Sequence, residues 1–100
     1  MKNKYKNISR RIDGYYFRSL KEARYYCELK LRVRAGDIVG FGIQPKYKFP
    51  CGITYVADFK ILHNDGSFEI IDVKGKQTYS YKLKKKMFKH HYPKLKFREV

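Results

Sequence analysis

Acidic residues are scarce in this 100-residue chain: nine Asp and Glu stand against 24 Lys and Arg, a formal net charge of +15. Such an excess raises affinity for phosphate backbones and makes it salt-dependent, so a polyanion is the expected partner. Cysteine is also sparse. Cys27 and Cys51 stand far apart with no CxxC between them, which predicts reduced thiols in a cytoplasmic protein. No apolar run approaches the roughly 18 residues of a membrane span, so no membrane partner is expected. The basic start, Met1 to Lys6, has no apolar stretch after it and does not read as a signal peptide. His90-His91 has no companion ligand cluster, which argues against zinc. Internal repeats and Pro/Gly/Ser-rich linkers are missing.

What is present suffices for a core. Hydrophobic residues make up 43% and aromatics 17% of 12.1 kDa, so the charge does not imply disorder. Residues 1–11 read as a basic N-terminal arm and residues 12–100 as one domain. Asp13-Gly14 is a turn signal before Tyr15-Tyr16-Phe17. Ser19 with Glu22 three residues on matches a capping box. Leu20, Ala23, Cys27 and Leu31 then recur at helical spacing, and Gly36 suits the helix end, giving a helix over about 20–34. Ile38 to Gln44 is strand-like, with Val39, Phe41 and Ile43 on one face. Pro45 cannot donate to a ladder, so this strand is an edge or is interrupted there, and Tyr47 and Phe49 continue it. Ile53–His63 and Phe68–Lys74 are further strands around the hairpin signal Asn64-Asp65-Gly66. A second helix fits Tyr79 to about His91, capped by Thr78 or Ser80 and followed by Pro93. Leu95–Arg98 is a last strand. The order is α-β-β-β-α-β, an α/β fold with a mixed sheet and flanking helices.

In so basic a chain the acids carry most of the information. Asp72-Val73-Lys74 puts a carboxylate and an ammonium two apart on a strand, on one face. That pair suits metal-dependent phosphodiester cleavage: the acid holds a divalent cation and the lysine orients the attacking water or steadies the phosphate. The same spacing occurs at Glu28-Leu29-Lys30, on a helix, and at Asp58-Phe59-Lys60. Only Asp72 has a partner acid, Asp58, on the neighbouring strand. A three-residue Asn64-Asp65-Gly66 loop with Gly66 left-handed pairs His63 with Ser67 and sets Asp58 directly opposite Asp72. Two such carboxylates repel unless a cation or proton sits between them. A two-residue Asp65-Gly66 turn would put them on opposite faces. The bland alternative is a pair of exposed, solubilising acids. Glu22 is either the helix cap or a third acid near the metal, and Gln44 either lines the same face or is a polar strand end.

From Val73 to Arg98 there is no acidic residue. Lys82, Lys85, Lys86 and Lys89 form one basic helical face, with Leu83, Met87 and Phe88 facing the core. No acids alternate with these lysines, so backbone phosphate binding is the expected role of the face. Tyr79, Tyr81 and Tyr92 either stack on bases or complete the core.

Several motifs occur together in order. They are Asp13-Gly14-x-x-Phe17-x-Ser19-x-x-Glu22-Ala23, Gln44-Pro45, Tyr55-x-Ala57-Asp58-Phe59, Asp72-Val73-Lys74-Gly75, then Thr78 and Lys82. This pattern, from about Ile12 to Tyr92, resembles the small phage and prophage Holliday junction resolvase-like endonucleases of the PD-(D/E)XK superfamily. Ala57 stands where that superfamily has a proline. The resemblance implies a restriction-endonuclease-like core and an active site of Glu22, Asp58, Asp72 and Lys74. It implies Mg²⁺, replaceable by Mn²⁺, held by Asp58, Asp72 and the Val73 carbonyl with help from Glu22. Gln44, Thr78 and Lys82 become site-lining or phosphate-contacting residues. The expected protein is a Mg²⁺-dependent DNA endonuclease acting on branched DNA. Two symmetric cuts at a junction call for a homodimer. The rivals are a transposition-type or nicking nuclease with the same acids, and a non-catalytic basic nucleic-acid binder.

Overall fold

Asp13 and Gly14 both take positive φ, 53° and 84°, as a two-residue type I′ hairpin turn requires. In the computed structural model, which describes residues 10–73, 75 and 77–100, this turn joins strands β1 (Arg11–Ile12) and β2 (Tyr15–Tyr16). The Asp13 carboxylate accepts from the Tyr26 hydroxyl at 2.7 Å and from Lys30 at 2.6 Å. Those bonds tie the turn to helix α1 (Leu20–Arg34). The helix has the expected bounds. Ser19 caps it, and Gly36 after its end takes φ 76°.

The buried face of α1 differs from the expected stripe. Glu22, Ala23, Tyr26 and Leu29 are buried, whereas Leu20 and Leu31 are 41% and 60% exposed. Two apolar stripes compete on this helix. The one carrying Tyr26 wins because its ring packs on buried Phe17, centroids 5.0 Å apart, and a large ring contributes more buried area than the Cys27 thiol.

Contacts divide the chain into two compact units, Met1–Asp37 and Ile38–Val100. Part of the expected arm is held in place. Arg10 donates to the Phe17 and Arg18 carbonyls at 3.3 and 2.6 Å, and Arg11 pairs with Tyr16 across the hairpin. Residues 1–9 lie outside the described residues.

The second unit holds β3 (Gly40–Ile43), β4 (Lys46–Lys48), β5 (Thr54–Val56), β6 (Phe59–Leu62), β7 (Phe68–Asp72), α2 (Tyr79–His91) and β8 (Lys96–Glu99). Four strands form a mixed sheet in the order β3-β6-β7-β8, antiparallel except for the parallel pair β7–β8. Helix α2 makes the crossover that a parallel pair needs. Strands β4 and β5 form a separate antiparallel ribbon.

The single strand expected over 53–63 is two strands, with Ala57 and Asp58 between them. The cause lies opposite. Gln44 takes φ 50°, and Pro45 has no N–H to give to a ladder. The chain bends there, and the facing strand bends with it. The register is not lost: Ile43 pairs with Phe59 and Lys46 with Val56, so Gln44 falls opposite Asp58 and Pro45 opposite Ala57. Gln44 N–H donates to the Asp58 carbonyl at 2.9 Å, and Ala57 N–H to the Pro45 carbonyl at 3.0 Å. β3–β4 and β5–β6 are thus the two arms of one long, kinked hairpin.

Phe49, Tyr55, Ala57, Ile70 and Phe88 form one core cluster of this unit, with Tyr47, Tyr81, Met87, Tyr92, Leu95 and Phe97 packed against it. Helix α2 matches its expected span and is capped by Thr78. Its inward face is turned toward Tyr81, Phe88 and Tyr92. Leu83, expected inside, is 40% exposed, because the rings flanking Phe88 take the space over the sheet. Among the described residues no helix is long and apolar enough to cross a membrane.

Candidate active site

The hairpin between β6 and β7 has the three-residue loop. His63 N–H donates to the Ser67 carbonyl and Gly66 N–H to the His63 carbonyl, each at 2.9 Å, with Gly66 at φ 86°. Phe59 pairs with Ile71, so Asp58 and Asp72 come next, opposite one another at the end of the ladder. Both are buried, each 6% exposed. Asp58 N–H also donates to the Ile71 carbonyl at 3.2 Å, the residue that faces Phe59, so the ladder is irregular where the acids meet.

Their carboxyl groups lie within hydrogen-bonding reach of each other. Asp58 Oδ2 accepts the Val73 N–H at 2.7 Å. Asp72 Oδ2 accepts the Tyr55 hydroxyl. Burial, opposed by the Tyr55 hydrogen bond and reinforced by the Asp58 charge, pushes the Asp72 carboxyl up from 3.8 to about 6. A pair of carboxyls in this state wants a proton or a cation between its oxygens. The donors are hard oxygens, which fits Mg²⁺ or Mn²⁺ and not a softer ion. Asp58 and Asp72 are the residues that would hold it. No group of three or more His, Cys, Asp and Glu side chains able to hold a metal is found among the described residues.

The pair belongs to a row. Gln44, just past the end of β3, falls opposite Asp58, and Asp72 pairs with Glu99 on β8, so Gln44, Asp58, Asp72 and Glu99 cross one end of the four-stranded sheet. Glu99 accepts the Tyr81 hydroxyl at 2.7 Å, Lys85 at 2.6 Å and the Gln77 amide at 3.2 Å. The Tyr81 hydroxyl also lies within hydrogen-bonding reach of Asp72. Burial first, then the Glu99 hydrogen bond and the nearby Asp72 charge, raise the pKa of this hydroxyl. Burial and the Asp72 hydrogen bond do the same for Tyr55. Both hydroxyls are thereby kept as donors to the acids.

The other expected site residues are placed as follows. Glu22, in the first unit, is engaged at the start of α1: its N–H donates to Ser19 Oγ at 3.1 Å, and its Oε2 accepts the Arg18 N–H at 3.2 Å. That is a capping box closed one residue early. Lys74 lies outside the described residues. Of Val73 it is the N–H, bound to Asp58, that is engaged here. Thr78 is the α2 cap and accepts the Tyr81 N–H at 3.1 Å. Lys82, Lys86 and Lys89 are exposed, and the Lys89 ammonium lies 5.4 Å from the Phe97 ring centre. Lys85 departs from the basic face, since it is bound to Glu99. Tyr81 and Tyr92 pack in the core, while Tyr79 is 82% exposed.

A family model described as "Protein of unknown function (DUF1064)" matches residues 2–100. The chain belongs to this family. No curated protein and no solved structure matches it.

In this DUF1064 member, three residues around the acids escape a reading of the sequence: Tyr55, Tyr81 and Glu99. Tyr55 lies within one of the recognised motifs, yet nothing local separates it from the other tyrosines. Glu99 follows the acid-free stretch by one residue, and that position is the one signal that marked it.

Proposed function

We propose that this chain is a Mg²⁺-dependent DNA endonuclease of the PD-(D/E)XK type, cutting branched DNA of the Holliday-junction kind as a cytoplasmic homodimer. The observation that carries the reading is the contact between two buried carboxyls, Asp58 and Asp72, in a chain of formal net charge +15. A basic surface explains holding DNA. It does not explain two acids brought together out of water, which costs stability unless a cation or proton joins them. A divalent ion there would meet a phosphate oxygen and lower the pKa of a bound water, the chemistry of phosphodiester hydrolysis. Lys74, two residues beyond Asp72, is the candidate to orient that water. The chain order α1, β3, β6, β7, α2, β8 is the α-β-β-β-α-β order of such a core, with the β4–β5 ribbon as an extension of its first hairpin.

The test is incubation of the purified protein with an end-labelled four-way junction, a flap, a single strand and a linear duplex, with Mg²⁺ or with chelator. Metal-dependent cleavage, strongest on the junction and lost in Asp72→Ala, is expected. A parent protein that cuts none of these, and whose melting temperature ignores millimolar Mn²⁺, is a DNA-binding module without chemistry.

A further inference from the structure

Tyr15 and Tyr16 are 46% and 52% exposed, although most rings of this protein pack into one of its two units. Strand β2 alternates faces. Tyr15 leans its edge on Tyr26, centroids 6.0 Å apart. Tyr16 instead sits among cations: the Arg10 and Arg11 guanidinium carbons lie 5.3 and 5.8 Å from its ring centre. Arg11 is its ladder partner. The group is held rigidly. Asp13 and Gly14 form the tight turn, Tyr26 and Lys30 bind the Asp13 carboxylate at 2.7 and 2.6 Å, and Arg10 is fastened to two backbone carbonyls. Fixed rings lose little conformational entropy when they are covered, which is how a recognition surface gains affinity.

The geometry points to a stacking platform: we propose that the β1–β2 hairpin takes an unpaired nucleobase on Tyr16, with its phosphates on Arg10 and Arg11. Aromatic faces flanked by guanidinium groups are the common means of holding single-stranded nucleic acid, since every base has a π-face and every nucleotide a phosphate. An acidic protein partner would engage the arginines but leave the ring without a matching group. Charge selects the same ligand: two guanidinium groups, of Arg10 and Arg11, lie against the ring, while the one acid of the turn, Asp13, is already bound by Lys30. The proposal rests on the reading of this chain as a nucleic-acid binder, and adds that it engages bases out of the duplex, as at a branch point.

The experiment is fluorescence anisotropy in chelator, so that binding is read without cleavage. The probes are a dye-labelled oligothymidylate of about 16 nucleotides, the matching oligouridylate and a duplex of the same length. The proteins are the parent, Tyr16→Ala and Tyr16→Phe, each checked for an unchanged thermal melt. Tyr16→Ala should weaken single-strand binding roughly tenfold, with duplex binding little changed and Tyr16→Phe close to the parent. Equal single-strand affinity of parent and Tyr16→Ala, or an equal loss on duplex and single strand, overturns the platform. Tighter binding of the uridylate, lost in Tyr16→Ala, supports the platform and counts against DNA as the strand. A parent that binds none of the probes ends this proposal together with the nucleic-acid reading. Binding without metal-dependent cleavage ends only the nuclease reading.

Discussion

The Val73 backbone N–H donates to Asp58 at 2.7 Å, across the hairpin from its own strand and one residue past the acid that Asp58 faces. This bond holds the Asp58 carboxylate against β7 and so against Asp72. It explains why two like charges stay together where the sheet ladder ends: each acid has its own donor, Val73 N–H for one and the Tyr55 hydroxyl for the other.

The acid pair makes stability depend on pH. Asp72 titrates near 3.8 when unfolded and at about 6 when folded. Between these values the folded chain keeps a proton that the unfolded chain has lost. Its stabilising effect is full below about pH 4 and fades as pH rises through about 6. Asp72→Asn should therefore be more stable than the parent at neutral pH, with the difference shrinking toward pH 4. Urea unfolding of both proteins at several pH values measures it. Mg²⁺ should raise the stability of the parent at neutral pH and leave Asp72→Asn nearly unmoved.

The tyrosines around Asp72 should act as outer supports of a metal site. Tyr55→Phe and Tyr81→Phe each remove one hydroxyl donor and keep the ring in the core. Mn²⁺ affinity, by calorimetry or thermal shift, should fall roughly 10–100-fold in Tyr55→Phe. Tyr81→Phe should have a smaller effect, because its hydroxyl is shared between Asp72 and Glu99.

The lysines of α2 should separate into two kinds. Lys82→Ala and Lys86→Ala remove exposed charges. Each should weaken DNA binding and reduce the slope of log K against log salt by about 1. Lys85→Ala should instead remove the half-buried ion pair with Glu99 and lower the melting temperature, with a smaller change in salt slope. Anisotropy titrations at several salt concentrations, beside thermal melts, separate these outcomes.

Tyr47 carries a buried hydroxyl with no hydrogen-bond partner among the described residues, within a ring cluster with Phe88 and Tyr92. Tyr47→Phe keeps the rings packed and removes the stranded polar group. It should stabilise the chain by about 1 kcal/mol, an increase of roughly 4–8 °C in melting temperature for a domain of this size. Calorimetry checks it.

Both helices were legible in the sequence with their ends, because Ser19 and Thr78 satisfy N–H groups within one turn and Gly36 accepts a left-handed conformation. The opposition of Asp58 and Asp72 was legible for the same kind of reason. A three-residue turn sets the register of its two strands, and register carries along a ladder without help from the rest of the fold. Elsewhere the outcome depended on competition between distant groups. Tyr26 displaced Cys27 from the buried face of α1, and Tyr81 and Tyr92 flanked Phe88 where Leu83 was expected, because burial is won by the ring with a partner to pack on. Gln44 reached Asp58 through a kinked hairpin whose two arms pair on both sides of the bend. Lys85, one of four lysines alike in the sequence, was taken by Glu99, and Tyr55 by Asp72, because folding brings those groups together across 14 and 17 residues. The sequence by itself determined the helix ends and reduced the facing of the acids to a choice between two hairpin loops, of which the structure takes the three-residue one. Which side chains surround those acids was decided only by tertiary packing, since long-range contacts form where burial and hydrogen bonding together offset the cost of ordering the chain.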